Sequence, residues 1–161
     1  MFERDPVQNY RPGPASEAPL LDGERVQAIF TPDRARYLRD HVNMAGLGVI
    51  AATVVLFALG RLHTIWAAVL GVVAAVAFRG IFLRSEVFAR RWQLTDRRLI
   101  GPQGRVVNLL EIKALRRLWG DVQVVTADGA KHLMKHLADP QAVIDTIEAA
   151  RAARAANRSP R

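Results

Sequence analysis

The sequence predicts an α+β membrane protein in which a transmembrane helical hairpin is followed by a small antiparallel β-barrel or sandwich capped by a C-terminal helix. Three observations carry this. The run 42–78 is almost wholly apolar, broken only near Gly60-Arg61-Leu62-His63, with arginines just outside both ends. After Leu83 the pattern changes to short extended segments separated by turn residues. Near the end, Asp139-Pro140 opens a helical stretch with one apolar stripe.

The apolar run divides into two spans. Residues 42–59 reach about 27 Å at about 1.5 Å rise per residue, close to the ~30 Å hydrocarbon core. Residues 62–78 make the second span, extendable to Leu83 if Arg79 snorkels to the headgroups. Two adjacent charge-free runs have no polar face to offer water, which argues against buried helices of a soluble protein. A cleaved signal peptide is not expected, because the first run begins some forty residues in and acids as well as bases precede it. Arg34, Arg36 and Arg39 precede the first span, Arg79, Arg84, Arg90 and Arg91 follow the second, and the connecting turn holds Arg61 alone. The positive-inside rule then places both termini in the cytoplasm. His63 and Trp66 fall at the outer interface, where an amphipathic ring is at home.

Small residues recur at four-residue spacing in both spans: Gly48 and Ala52, then Ala67, Gly71 and Ala75. Such faces let helix backbones approach closely, within the hairpin, in a homodimer or against a larger complex. Acids, histidines or broken helices at mid-membrane, which transporters use, do not occur in these spans.

With 161 residues, the chain has room for one hairpin and a compact domain of about 75 residues. It contains no cysteine, which removes disulfides, thiolate metal sites and thiol nucleophiles together. A net charge of +8 suggests nucleic acid, but the excess clusters between Arg79 and Arg117, directly after a span, where anionic headgroups are the nearest counter-charge.

Residues 1–21 are proline-rich and polar, a flexible tail. Residues 22–41 form a cytoplasmic or interfacial segment: Asp22-Gly23-Glu24 turns the chain into a short extended or interfacial piece ending at Phe30, and Thr31 caps a helix with Pro32 at its first position that runs into span one. The hairpin occupies 42–83 and a cytoplasmic domain 84–150. Within that domain strands are expected at 86–95, 98–100, 105–109, 112–119, 122–126 and 130–137, with turns at Gly101-Pro102-Gln103-Gly104, Gly120-Asp121 and Asp128-Gly129. Asp139 caps a helix whose stripe is Val143, Ile144 and Ile147, and residues 151–161 extend it as a basic tail.

The segment Arg91-Trp92-Gln93-Leu94-Thr95-Asp96-Arg97-Arg98-Leu99-Ile100 resembles the "Y-x-L-T-d-R-R-l" opening of bacterial pleckstrin-homology-like domains, with Trp92 in place of the usual tyrosine. Leu109-Leu110-Glu111-Ile112, Gly120-Asp121-Val122 and Leu137-Ala138-Asp139-Pro140 resemble that family's later positions in order, and Asp22-Gly23-Glu24 its "p-G-E" before the spans. The resemblance covers residues 22–150. It implies a partly open barrel or sandwich of about seven strands under a helix, held at the cytoplasmic face of a bacterial inner membrane, without catalytic activity or cofactor. Fold does not transfer function, so a ligand does not follow from the family's eukaryotic relatives, which bind phosphoinositides or peptides.

Arg90, Arg91, Arg97, Arg98, Arg116 and Arg117 form the candidate surface for anionic lipid or an acidic partner, with Arg97 and Arg98 also open to being fixed by their own turn. His132 and His136 have a metal-ligand spacing but lack a third ligand and are flanked by Lys131 and Lys135, so a solvated strand face is expected and no metal. The expected class is a non-enzymatic interaction or assembly protein meeting membrane lipids and another membrane protein. The alternatives are an accessory subunit of a larger complex, such as an energy-transducing one, and a membrane-associated nucleic-acid binder, which would lack a stacking platform.

Overall fold

A computed structural model of the chain describes residues 17–158. Most of the proline-rich tail, residues 1–16, and residues 159–161 lie outside the described residues. The chain forms two compact units, residues 34–85 and the remainder.

The first unit is a helical pair, α1 (Arg34–Ala58) and α2 (Ile65–Ala89), whose last residues belong to the second unit. Each has 25 residues, about 37 Å at about 1.5 Å per residue. Both are long and apolar enough to cross a membrane, and their apolar windows are not buried inside the protein. α1 ends in a Schellman-type cap: Arg61 N–H donates to Leu56 O at 2.8 Å and Gly60 N–H to Phe57 O at 3.1 Å. α1 starts two residues later than Thr31 and Pro32 suggest, and the N–H of Asp33, just before it, donates to His136 O at 2.6 Å.

A narrow seam joins the pair. A Cβ on Gly48 would lie 2.8 Å from Val72 Cγ1, and one on Gly80 would lie 2.9 Å from the His41 ring. Tyr37 Oη donates to Gly80 O at 2.8 Å. Ala52 is half-buried, whereas Ala67, Gly71 and Ala75 are exposed. The four-residue spacing thus splits: the α1 set faces the seam and the α2 set faces away from it.

Among its described residues the second unit holds seven strands and a C-terminal α-helix. Strands β1 (Val26–Phe30), β2 (Trp92–Thr95), β3 (Arg98–Ile100) and β4 (Val106–Asn108) form one antiparallel sheet in that order. β5 (Ile112–Leu118), β6 (Asp121–Thr126) and β7 (Lys131–Met134) form a second. The sheets are open and share one core rather than closing into a barrel. Trp92, Leu94, Leu99 and Val107 come from the first and Ile112, Val122, Val124 and Met134 from the second. Over them lies α3 (Pro140–Arg158), which adds Val143, Ile147 and Ala150 to that core. Asp139 Oδ1 caps it, accepting from the N–H groups of Gln141 at 2.9 Å and Ala142 at 3.1 Å.

Three local expectations are corrected. Residues 86–89 are helical rather than extended, and Glu86 pairs with Arg90 one turn on, so strand-favouring Val87 and Phe88 are overridden by continuation of α2. The β6–β7 connection is a three-residue loop, 127–129, closed by Thr126 N–H to Ala130 O at 3.0 Å, with Gly129 taking φ 88°. The β5–β6 turn is Trp119-Gly120, not Gly120-Asp121, because Leu118 pairs with Asp121.

β1 is the short extended piece expected before the first span, but its partner is one that reading in chain order does not anticipate. It precedes both apolar helices yet pairs with β2, which follows them, through Phe30 with Trp92, Ile29 with Gln93 and Ala28 with Leu94.

The indole of Trp92 fills the space over Gly101: a Cβ there would lie 2.5 Å from Trp92 Cζ3. Gly101→Ala should therefore destabilise the sheet domain by about 1–3 kcal/mol, the usual cost of overpacking. Thermal unfolding of the detergent-solubilised protein checks it; an unchanged melting temperature would contradict the packing.

Candidate functional site: the arginines of the sheet domain

The six arginines marked by the sequence do not form one patch. Their neighbours sort them into those tied into the fold and those left at the surface.

Arg98, the first residue of β3, is tied down. Its Nε donates to Glu24 Oε1 and its Nη2 to Glu24 Oε2, both at 2.8 Å, and Nη2 also donates to Pro19 O at 2.7 Å. The Glu24 side chain is wholly buried, delivered by a turn in which its N–H donates to Leu21 O at 2.9 Å. Leu21 N–H returns a hydrogen bond to Glu24 Oε2 at 2.7 Å, and the Thr95 hydroxyl lies 2.7 Å from Oε1 and accepts from Arg98 N–H at 2.9 Å. The hydrogen-bonded Arg98 guanidinium lowers the Glu24 pKa from 4.5 to about 2, against the opposing effect of burial. The same bond raises Arg98 above its ordinary value.

Arg91 is bound likewise, its Nε 2.7 Å from Glu17 Oε1 and its Nη2 3.0 Å from Oε2, with Gln93 donating to the same carboxylate. Arg90 pairs with Glu86. Arg97 approaches Asp96 only to 3.8 Å and lines an open cleft of about 730 Å³, beside Arg154 and the Asn108–Glu111 pair. Arg116 and Arg117 project from the far half of β5, exposed, and among the described residues neither side chain makes a hydrogen bond or ion pair.

Beside them stands a residue that the sequence reading passed over as a strand end. Trp119 is 96 % exposed and takes φ 52°, with Gly120 at φ 102°. A two-residue turn of this hand needs positive φ at both central positions. Glycine accepts it freely, whereas a tryptophan there costs about 1–2 kcal/mol. The clue available in sequence was Leu-Trp-Gly where Asn-Gly or Asp-Gly would be expected.

The two histidines are not same-faced ligands. His132 on β7 packs its ring 6.5 Å from that of Trp92, while His136 lies beyond the strand with φ 57°. Among the described residues no group of three metal-ligating side chains is assembled.

No family model matches this chain, and no curated protein or solved structure shows significant similarity to it.

Because the folded pKa of Glu24 lies below its unfolded value, its contribution is complete above pH 4.5 and is lost as pH falls towards 2. The shift corresponds to about 3 kcal/mol. Glu24→Gln should lower stability at neutral pH by about that amount and flatten the decline between pH 4.5 and 2, as read by thermal unfolding across pH. A variant that keeps the wild-type acid limb would show that the pair does not carry it.

Proposed function

We propose that this chain is a non-enzymatic interaction module of the bacterial inner membrane, anchored by α1 and α2 with both termini in the cytoplasm. Its sheet domain, of pleckstrin-homology-like kind, presents basic residues to anionic lipid or to a protein partner.

The observation that carries the reading is the pairing of β1 with β2. Two strands that flank the apolar helices are hydrogen-bonded neighbours, so in a bilayer both ends of the hairpin emerge on one side, together with the sheet domain. The excess of arginine outside both ends of the hairpin supports the cytoplasm as that side. Four strands plus three under a C-terminal helix support the family reading. So does the Glu24–Thr95–Arg98 cluster, which joins the "G-E" and "L-T-d-R-R" positions of the motif.

A second reading, an accessory subunit or a homodimer held through the membrane, is favoured by one observation. Ala67, Gly71 and Ala75 face out of the hairpin, and a Cβ on Gly71 would meet nothing within 4 Å. This face is open to close approach by another helix.

Native absence of cysteine makes topology testable with single introduced thiols. In intact cells an impermeant thiol reagent should label Arg61→Cys and leave Ala149→Cys unlabelled until the cells are opened; labelling of position 149 in intact cells would overturn the orientation. For the second reading, Gly71→Leu should release a co-purifying membrane protein, or shift a dimer to monomer, without lowering the melting temperature. A wild-type protein that purifies alone as a monomer would remove it.

A further inference from the structure

Trp119 combines a backbone conformation unfavourable to its side chain with 96 % exposure, so burial within the domain does not offset the strain. Strain retained at an exposed position points from geometry to a role outside the fold.

The surroundings specify the role. Leu118, beside it, is 38 % exposed, and Arg116 and Arg117 precede it on the same strand. Val122 pairs with Met134, which brings exposed Lys135 to the same end of the sheet. The acid at this end, Asp121, turns inward, its Oδ1 accepting from His136 N–H at 2.9 Å. The tip is therefore an indole and a leucine collared by three cations.

Its place in the domain identifies what it meets. His136 O accepts the N–H of Asp33, the last residue before α1, at 2.6 Å. The chain thus leaves the sheet domain for its first apolar helix beside the end that carries Trp119. Phe30 pairs with Trp92, so the chain returning from α2 re-enters the first sheet opposite the strand from which it departed.

We propose that the Trp119-Gly120 turn is a membrane wedge: the Trp119 indole and Leu118 enter the headgroup layer of an anionic bilayer, with Arg116, Arg117 and Lys135 against its phosphates. The inference rests on the membrane reading above and names the partner as the anionic leaflet itself. An indole suits that layer because its ring is apolar while its N–H still finds a polar acceptor. The cations suit it because a negative surface attracts them within a Debye length.

The test uses the full chain reconstituted into vesicles of phosphatidylcholine alone or mixed with phosphatidylglycerol, and compares wild type with Trp119→Asn. Asparagine accepts positive φ, so this variant should melt at or above the wild-type temperature. A markedly lower melting temperature would mark Trp119 as structural and overturn the proposal. Subtracting the variant's emission from wild type removes Trp66 and Trp92. With phosphatidylglycerol present the remaining signal should shift to the blue and be lost to brominated lipid. In Arg116→Gln/Arg117→Gln/Lys135→Gln it should shift back. Flotation of every sample with vesicles reports the anchor separately. Protein that floats but leaves the Trp119 signal red and unquenched overturns the wedge alone, and protein that does not float overturns the membrane reading beneath it. A signal shielded in native membranes but not in pure lipid assigns the tip to a protein contact and overturns the lipid assignment.

Discussion

The carboxylate of Glu24 and the guanidinium of Arg98 join two pieces of chain separated by both apolar helices. Besides that pair, the segment before α1 holds its edge position in the first sheet by backbone pairing, a few half-buried side chains and one further carboxylate. Buried ion pairs recover little net energy once desolvation is counted. What this one supplies is selectivity: a bidentate fork, with the Thr95 hydroxyl and the Leu21 N–H satisfying the remaining capacity, accepts one carboxylate in one register. The second stitch, Glu17 with Arg91 and Gln93, acts on the same two pieces of chain.

The helical pair lowers the cost of this arrangement. Closing a loop costs more as its length grows, but two helices joined by a short capped turn return the chain towards its starting point. The hairpin then acts as a long, ordered connection between adjacent strands, and the sheet domain is discontinuous in sequence while single in its core.

This construction also redistributes the charge. A net +8 suggests a broad basic face, yet Arg90, Arg91 and Arg98 are matched to carboxylates within the sheet domain. The pairs differ in weight, for Arg98 binds a wholly buried acid whereas Arg90 and Glu86 are a partly exposed helical pair of small value. The unmatched cations with the clearest geometry stand at the β5–β6 end, next to Trp119, the one aromatic side chain among the domain's described residues that is turned to water.

By itself the sequence determined the elements that depend on local chemistry. These are two apolar helices, because no polar face interrupts 42–59 or 62–78; the helix behind Asp139-Pro140, because a carboxylate and a proline suit the first turn; and strands between turn residues. Where local preference and context disagree, context decided. Val87 and Phe88 favour strand but continue α2, and Trp119 enters a conformation its side chain disfavours because Leu118 pairs with Asp121. Only the tertiary structure decided that β1 belongs to the sheet, that Arg98 is internal while Arg116 and Arg117 are not, and that Ala67, Gly71 and Ala75 face outward while Gly48 faces Val72. Spacing fixes which residues share a face of one element, whereas the face that is covered depends on partners distant in the chain.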